Sequence, residues 1–139
     1  RRQRQMCIRD RDDIYTVAEM LARQDDINVL MVKDYIRCPK VNGYRSYHMI
    51  IEVPVFFSDR KENMRVEVQI RTIAMDFWAS LDHQMKYKKD VEDASEISEE
   101  LKECAEVIAQ TDLKMLSLRR KIEDRESKEN LLQFDKDPM

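Results

Sequence analysis

The chain divides by the period of its apolar residues. Ile14, Val17, Ala18 and Leu21 recur at i, i+3, i+4 and i+7, one stripe of a helix that Asp12 or Asp13 caps and that runs to about Gln24. The period then shortens. "INVLMVKDYI" is dense in β-branched residues and follows the break "QDD", so it predicts a strand. "SYHMIIEVPVFF" alternates, with Tyr47, Met49, Ile51, Val53, Val55 and Phe57 on one face. Pro54 removes a ladder donor and so implies a sheet edge or a bulge at that point. After the polar turn "SDRKEN", "MRVEVQIR" alternates cleanly, and the two runs read as a hairpin.

Helical spacing returns after the hairpin. Thr72 can cap a helix over about residues 73–88, with Ala74, Phe77, Trp78, Leu81 and Met85 as its buried stripe. A last long helix begins near Ser98. Ile97, Leu101, Cys104, Ile108, Thr111, Met115, Leu118 and Ile122 form a 3.5-residue seam interrupted only by Thr111. That seam either covers the protein's own sheet or meets another chain. The end, "DRESKENLLQFDKDPM", is expected to fray. The start, "RRQRQMCIRDR", holds only Met6, Cys7 and Ile8 as apolar residues and reads as a tail of doubtful origin. The expected organisation is therefore a tail over 1–11, a domain over 12–90 and a helical extension over 91–139. The fold class is α+β: a small mixed β-sheet flanked by helices, the last of them long.

Composition narrows this picture. One Gly and three Pro in 139 residues argue against a turn-rich all-β fold. A formal net charge of -3 does not attract DNA, so an anionic ligand needs a local basic cluster. Cys7, Cys38 and Cys104 form neither a disulfide framework nor a zinc pattern, which suits a cytoplasmic setting. No apolar run approaches the ~18 residues of a membrane span, and no signal-peptide core is visible.

Two stretches carry candidate chemistry. In "MRVEVQIR", Glu67, Gln69 and Arg71 point away from Val66, Val68 and Ile70. A carboxylate, an amide and a guanidinium in a row can hold a metal, a hydroxyl and a phosphate, or can be the solvated face of a half-buried strand. "KDYIRCPKVNGYRSYH" contains the single glycine, Gly43, among cations and tyrosines. Asn-Gly is an ordinary turn signal. The same loop could expose the Tyr44 ring for a base to stack on and set Lys33, Arg37, Lys40 and Arg45 against phosphates. It is not a Walker loop, since GxxxxGK[ST] is absent. His48, on the less apolar strand face, and His83, opposite the expected helix stripe, both have structural readings as satisfied side chains.

In combination, "VKDYIRCPKVNGYRSYH" and "VEVQIRTIAMDFWASLDHQMKYK" resemble the synthetase domain of RelA/SpoT-type (p)ppGpp synthetases, most closely the small alarmone synthetases. The resemblance runs from about residue 13 to 88. It implies a nucleotidyltransferase-like synthetase fold. It also implies transfer of pyrophosphate from ATP to the 3′-hydroxyl of GDP or GTP with Mg2+, and assembly as a homotetramer. By motif, Tyr44 would stack on guanine and Asn42 would help hold the guanine edge. Lys33, Lys40 and His48 would contact the acceptor's phosphates. Glu67 would be the catalytic residue, as magnesium ligand or general base, with Arg45, Gln69 and Arg71 in support.

The start departs from the family pattern. A basic ATP-binding helical region and a strand carrying a second magnesium-ligating Asp are not visible, and charged residues stand where an apolar strand is expected. The chain therefore reads as an N-terminally incomplete domain, with acceptor-site motifs but no ATP-binding half. A non-catalytic guanine-nucleotide-binding module and a helix-mediated interaction module are the alternatives.

Overall fold

The computed structural model describes residues 2–8, 11–87 and 92–136. The boundary expected at 90/91 and the last residue of the resembling stretch, Lys88, lie outside them. Four strands and three helices follow one another as β1 (Arg2–Ile8), α1 (Arg11–Ala22), β2 (Asn28–Asp34), β3 (Tyr47–Phe56), β4 (Lys61–Thr72), α2 (Ile73–Tyr87) and α3 (Ala94–Phe134). The sheet order is β1-β4-β3-β2. β2, β3 and β4 are antiparallel, and β1 lies parallel to β4, from Arg2 opposite Val66 to Ile8 opposite Thr72. The sheet is mixed and the class is α+β, as the apolar periods predict.

The reading of residues 1–11 as a tail is corrected. Residues 2–8 are a strand, paired along their length with β4. A parallel neighbour satisfies backbone groups whatever side chains the strand carries. A hydrophobic pattern is therefore a poor guide to it.

The core lies on one face of the sheet. Met49 and Ile51 of β3, Val68 and Ile70 of β4, and Ile14 and Ala18 of α1 pack there with Ile36 and Met75. Ile14, Met49 and Ile70 are fully buried, and each such side chain contributes about 1.5–3 kcal/mol. The register sets Met49 opposite Val68 and Ile51 opposite Val66, so the alternation read in both strands resolves to this one face. β2 pairs with β3 only as far as Glu52, so at Pro54 the strand has a partner on one side alone. A residue without an N–H is tolerated there.

Each helix differs from its expected pattern in one respect. α1 begins at Arg11, so Asp12 and Asp13 sit in its first turn and not ahead of it. Both carboxylates pair with α3, Asp13 Oδ2 with Arg119 Nη1 at 2.9 Å and Asp12 with Arg120. The buried stripe of α2 is Met75, Trp78 and Asp82, while Phe77 and Leu81 are exposed. Thr72 ends β4 and also caps α2, its Oγ1 accepting the Met75 N–H at 3.2 Å. The helix thus leaves the sheet with its azimuth already fixed, and Met75, not Ala74, reaches the core. In α3 the inward side chains are Ala105, Ala109, Asp112 and Leu116. Ile97, Leu101 and Ile108 of the expected seam are half-buried, whereas Cys104, Thr111, Met115, Leu118 and Ile122 are exposed. At Ala105 the helix lies so close to the β2–β3 loop that a larger side chain would not fit. The segment expected to fray is helical through Phe134.

Candidate functional site

The loop between β2 and β3 is built by local hydrogen bonds. Asp34 Oδ1 accepts the N–H groups of Ile36 and Arg37 at 3.0 and 3.1 Å, turning the chain as it leaves β2. The Tyr35 N–H donates to the Ser46 carbonyl at 2.9 Å and closes the base. At the tip, the Gly43 N–H donates to Lys40 O at 2.9 Å and the Lys40 N–H to Tyr44 O at 3.1 Å. Asn42 Oδ1 accepts the Tyr44 N–H at 3.1 Å. Gly43 has φ +98°, a backbone that side-chain-bearing residues rarely adopt. Its Cα also faces α3 so closely that an added Cβ would lie 2.9 Å from the Ala105 Cβ. The glycine thus serves the turn and the helix contact together.

Beneath the loop lies Arg71, 7% exposed. Its Nε donates to Ser46 Oγ at 3.3 Å and its Nη1 to Asp76 Oδ1 at 3.0 Å. Its Nη2 donates to Gln69 Oε1 at 2.6 Å and to the Tyr44 hydroxyl at 2.8 Å. The hydroxyl is in turn 2.8 Å from His48 Nε2. His48 Nδ1 is 3.3 Å from Glu67 Oε1, to which Gln69 Nε2 also donates at 3.4 Å. Desolvation by burial pushes the His48 imidazole below its ordinary pKa, against the weaker upward pull of Glu67.

A cavity of about 580 Å³ opens between this loop and α2. Lys40, Asn42, Tyr44 and Arg71 line one side, and Asp76, Ser80 and His83 are among the residues on the other. The Lys40 Nζ stands 5.3 Å from the centre of the Tyr44 ring and 4.9 Å from that of Tyr35. Cations therefore cluster where an aromatic ring is presented.

The residues singled out from sequence divide into groups. Lys40, Asn42, Tyr44 and Arg71 meet at the cavity. His48, Gln69 and Glu67 connect to it through the Tyr44 hydroxyl. Lys33, opposite His48 in the register, is exposed on the edge strand β2 and lines a separate hollow with Tyr15 and Tyr47. Arg45 turns to α3, where its Nη2 pairs with Glu106 Oε2 at 2.9 Å. His83 stands on the far wall and stacks on Tyr87 at 5.9 Å between ring centres.

Three contributors escaped the sequence reading. Ser46 is fully buried under Arg71. Trp78 packs against the Gly43 turn and donates from Nε1 to Leu101 O at 2.6 Å, fastening α2 to α3. Asp76 anchors Arg71. An acid five residues after an arginine at a strand-to-helix junction was the available signal for the last.

The sequence reading names Glu67 as a metal ligand. Among the described residues no group of three or more His, Cys, Asp or Glu could hold one. The protein donors alone do not make up the octahedral oxygen set that Mg2+ demands. Nor is any helix among the described residues long and apolar enough to cross a membrane.

Fold and site together define a class: an α+β domain whose glycine-turned loop holds an aromatic ring and cations over a cleft, with a half-buried carboxylate joined to it through His48. Residues 4–92 match the profile described as "Region found in RelA / SpoT proteins", and the chain belongs to that family. The GTP pyrophosphokinase YwaC of Bacillus subtilis (strain 168) is 48% identical over 111 residues, which are 80% of this chain and 53% of that protein. The chain spans about half the length of the curated relatives it matches. The crystal structure of small alarmone synthetase 2 from B. subtilis superimposes with a TM-score of 0.79 at 46% identity, over 84% of this chain and 64% of that one. That of small alarmone synthetase 1 from B. subtilis, bound to its product pppGpp, gives 0.78 at 33% identity, over 86% and 60%.

Proposed function

We propose that this chain provides the acceptor-nucleotide site of a (p)ppGpp synthetase, which transfers pyrophosphate from ATP to the 3′-hydroxyl of GDP or GTP. The observation that carries the reading is the Tyr44 ring at a cavity of about 580 Å³, with Lys40 and Arg71 beside it and Glu67 tied to its hydroxyl through His48. Ring stacking is worth about 1–3 kcal/mol per base, and the cations offset phosphate charge. Transfer of this kind depends on positioning and charge neutralisation more than on covalent chemistry.

In this reading Tyr44 stacks on guanine, and the Asn42 amide meets the base edge while its oxygen keeps the loop turned. Lys33 and Lys40 approach the acceptor's phosphates with His48. Glu67 takes the 3′-hydroxyl proton or binds Mg2+. Were Mg2+ bound, Glu67 would be its one protein carboxylate, and the acceptor's phosphates and water would have to supply its other ligands. The test is calorimetric titration of GDP into the purified chain beside Tyr44→Ala, followed by an assay for pyrophosphate transfer from ATP. Micromolar binding that the substitution abolishes supports the reading. A folded parent that binds neither GDP nor GTP sinks it.

A specific feature of α3 also favours self-association. Met115, Leu118 and Ile122 are 57%, 45% and 58% exposed on one stripe of the helix. A second copy of the chain, in an assembly up to a tetramer, is the proposed cover.

A further inference from the structure

The hydrogen bonds around Arg71 have a direction. A guanidinium only donates, so the Tyr44 hydroxyl must accept from Arg71 Nη2. The hydroxyl proton is then available for His48 Nε2, 2.8 Å away. If Nε2 accepts, Nδ1 carries the ring proton and points it at Glu67 Oε1, 3.3 Å away. The opposite tautomer would set a bare Nδ1 against a carboxylate oxygen, two acceptors face to face. It would also leave the Tyr44 proton without its nearest acceptor. Burial disfavours the doubly protonated ring. One arrangement satisfies every atom, and it begins at Arg71.

Arg71 is itself held at four points, of which one is charged: Asp76 Oδ1, 3.0 Å from Nη1. The Asp76 side chain is 37% exposed at the rim of the cleft, while that of Arg71 is only 9% exposed. Asp76 is thus the acid that compensates a buried cation and fixes the plane of its fork.

We infer that Asp76 is a positioning residue, which through Arg71 sets the Tyr44 ring and fixes His48 as the Nδ1–H tautomer donating to Glu67. The inference rests on the proposed acceptor site for its functional meaning, but its geometry exists in the free protein. Functionally it aims the Glu67 carboxylate, and it holds the stacking ring in place before the nucleotide arrives.

The test uses ¹⁵N-labelled full chain in metal-free buffer at neutral pH. The chain has two histidines, and exposed His83 serves as the internal reference. The ring nitrogens of His48 are expected to report Nδ1–H. Tyr44→Phe, which deletes one hydroxyl, and Asp76→Asn should both move His48 toward mixed tautomers. Asp76→Glu should restore the parent signature. Loss of a charge-assisted contact in Asp76→Asn should weaken GDP about 5- to 20-fold. Should Asp76→Asn fail to fold, Tyr44→Phe carries the same spectroscopic reading. An Nε2–H or doubly protonated His48 in the parent overturns the inference, as does a tautomer unmoved in folded Asp76→Asn. If GDP binds and Tyr44→Ala abolishes it while His48 is Nε2–H, the acceptor site stands and this inference falls. If His48 behaves as expected but no nucleotide binds, the positioning stands and the acceptor site falls.

Discussion

Gly43 and Ala105 touch backbone to side chain: a Cβ built on the glycine would sit 2.9 Å from the alanine's Cβ. The turn that presents Tyr44 is therefore pressed directly against α3. Gly43→Ala should cost about 2–4 kcal/mol, combining a left-handed backbone with an overpacked contact. Ala105→Gly in the same chain should recover only the steric share. Urea unfolding of the three variants separates the two parts. A Gly43→Ala protein as stable as the parent would disprove the contact.

Tyr44→Ala and Tyr44→Phe should behave differently toward GDP. The first removes the stacking ring and should weaken binding about 5- to 150-fold. The second keeps the ring and removes only the hydroxyl that joins Arg71 to His48. Its loss in affinity should be the smaller. Equal losses in calorimetry would show that the ring does not stack.

The strands and their inward faces were legible because period-2 alternation has one solution once a face is buried. Met49, Ile51, Val68 and Ile70 are core residues on that rule. The cleft was legible in part, through the Gly43 loop and the Glu67–Gln69–Arg71 row. Three things were not. β1 pairs with a strand made much later in the chain, and "RQRQMCI" has no apolar period to betray it. The azimuth of α2 is set by Thr72 serving both strand and helix, so the most apolar stripe, through Phe77 and Leu81, is not the buried one. On α3 the close approach of the Gly43 turn selects Ala105 over the larger residues of the heptad seam. For β1 and α3 a contact between distant residues overrode a local pattern.

His48 should make stability depend on pH below neutrality. Its folded pKa is lowered, chiefly by burial, relative to an unfolded value of about 6.5. Between the two values the unfolded chain binds more protons, so stability rises with pH. The contribution is complete above the unfolded value and is lost as pH falls through the folded one. His48→Gln should remove this part of the slope in unfolding free energy. An unchanged slope would mean that His48 is not held neutral by its surroundings.

Thr72 and Asp112 should be energetically coupled. The Thr72 hydroxyl donates to the buried Asp112 Oδ2 at 2.7 Å and accepts the Met75 N–H at 3.2 Å. Thr72→Ala should cost about 1–3 kcal/mol by losing the cap and the carboxylate's donor together. In a double-mutant cycle with Asp112→Ala, the coupling should exceed about 0.5 kcal/mol. Simple additivity would refute it.

The exposed stripe of α3 should be a contact between copies. Sedimentation equilibrium is expected to show an assembly that Leu118→Glu shifts to monomer without lowering the melting temperature of the folded unit. A monomeric parent at high concentration would rule the contact out.

The parallel pairing of β1 with β4 imposes a timetable on synthesis. Arg2 to Ile8 leaves the ribosome well before its partner, Val66 to Thr72. α1, the β2–β3 loop and the β3–β4 hairpin can all form beforehand from closer neighbours. The β1 segment must wait, exposed, until the hairpin's second arm emerges, and then add to its open edge. Nascent chains stopped before residue 66 should therefore keep this segment open to protease, and those stopped beyond α2 should protect it. Among the described strands, one made before its partner becomes the last to close.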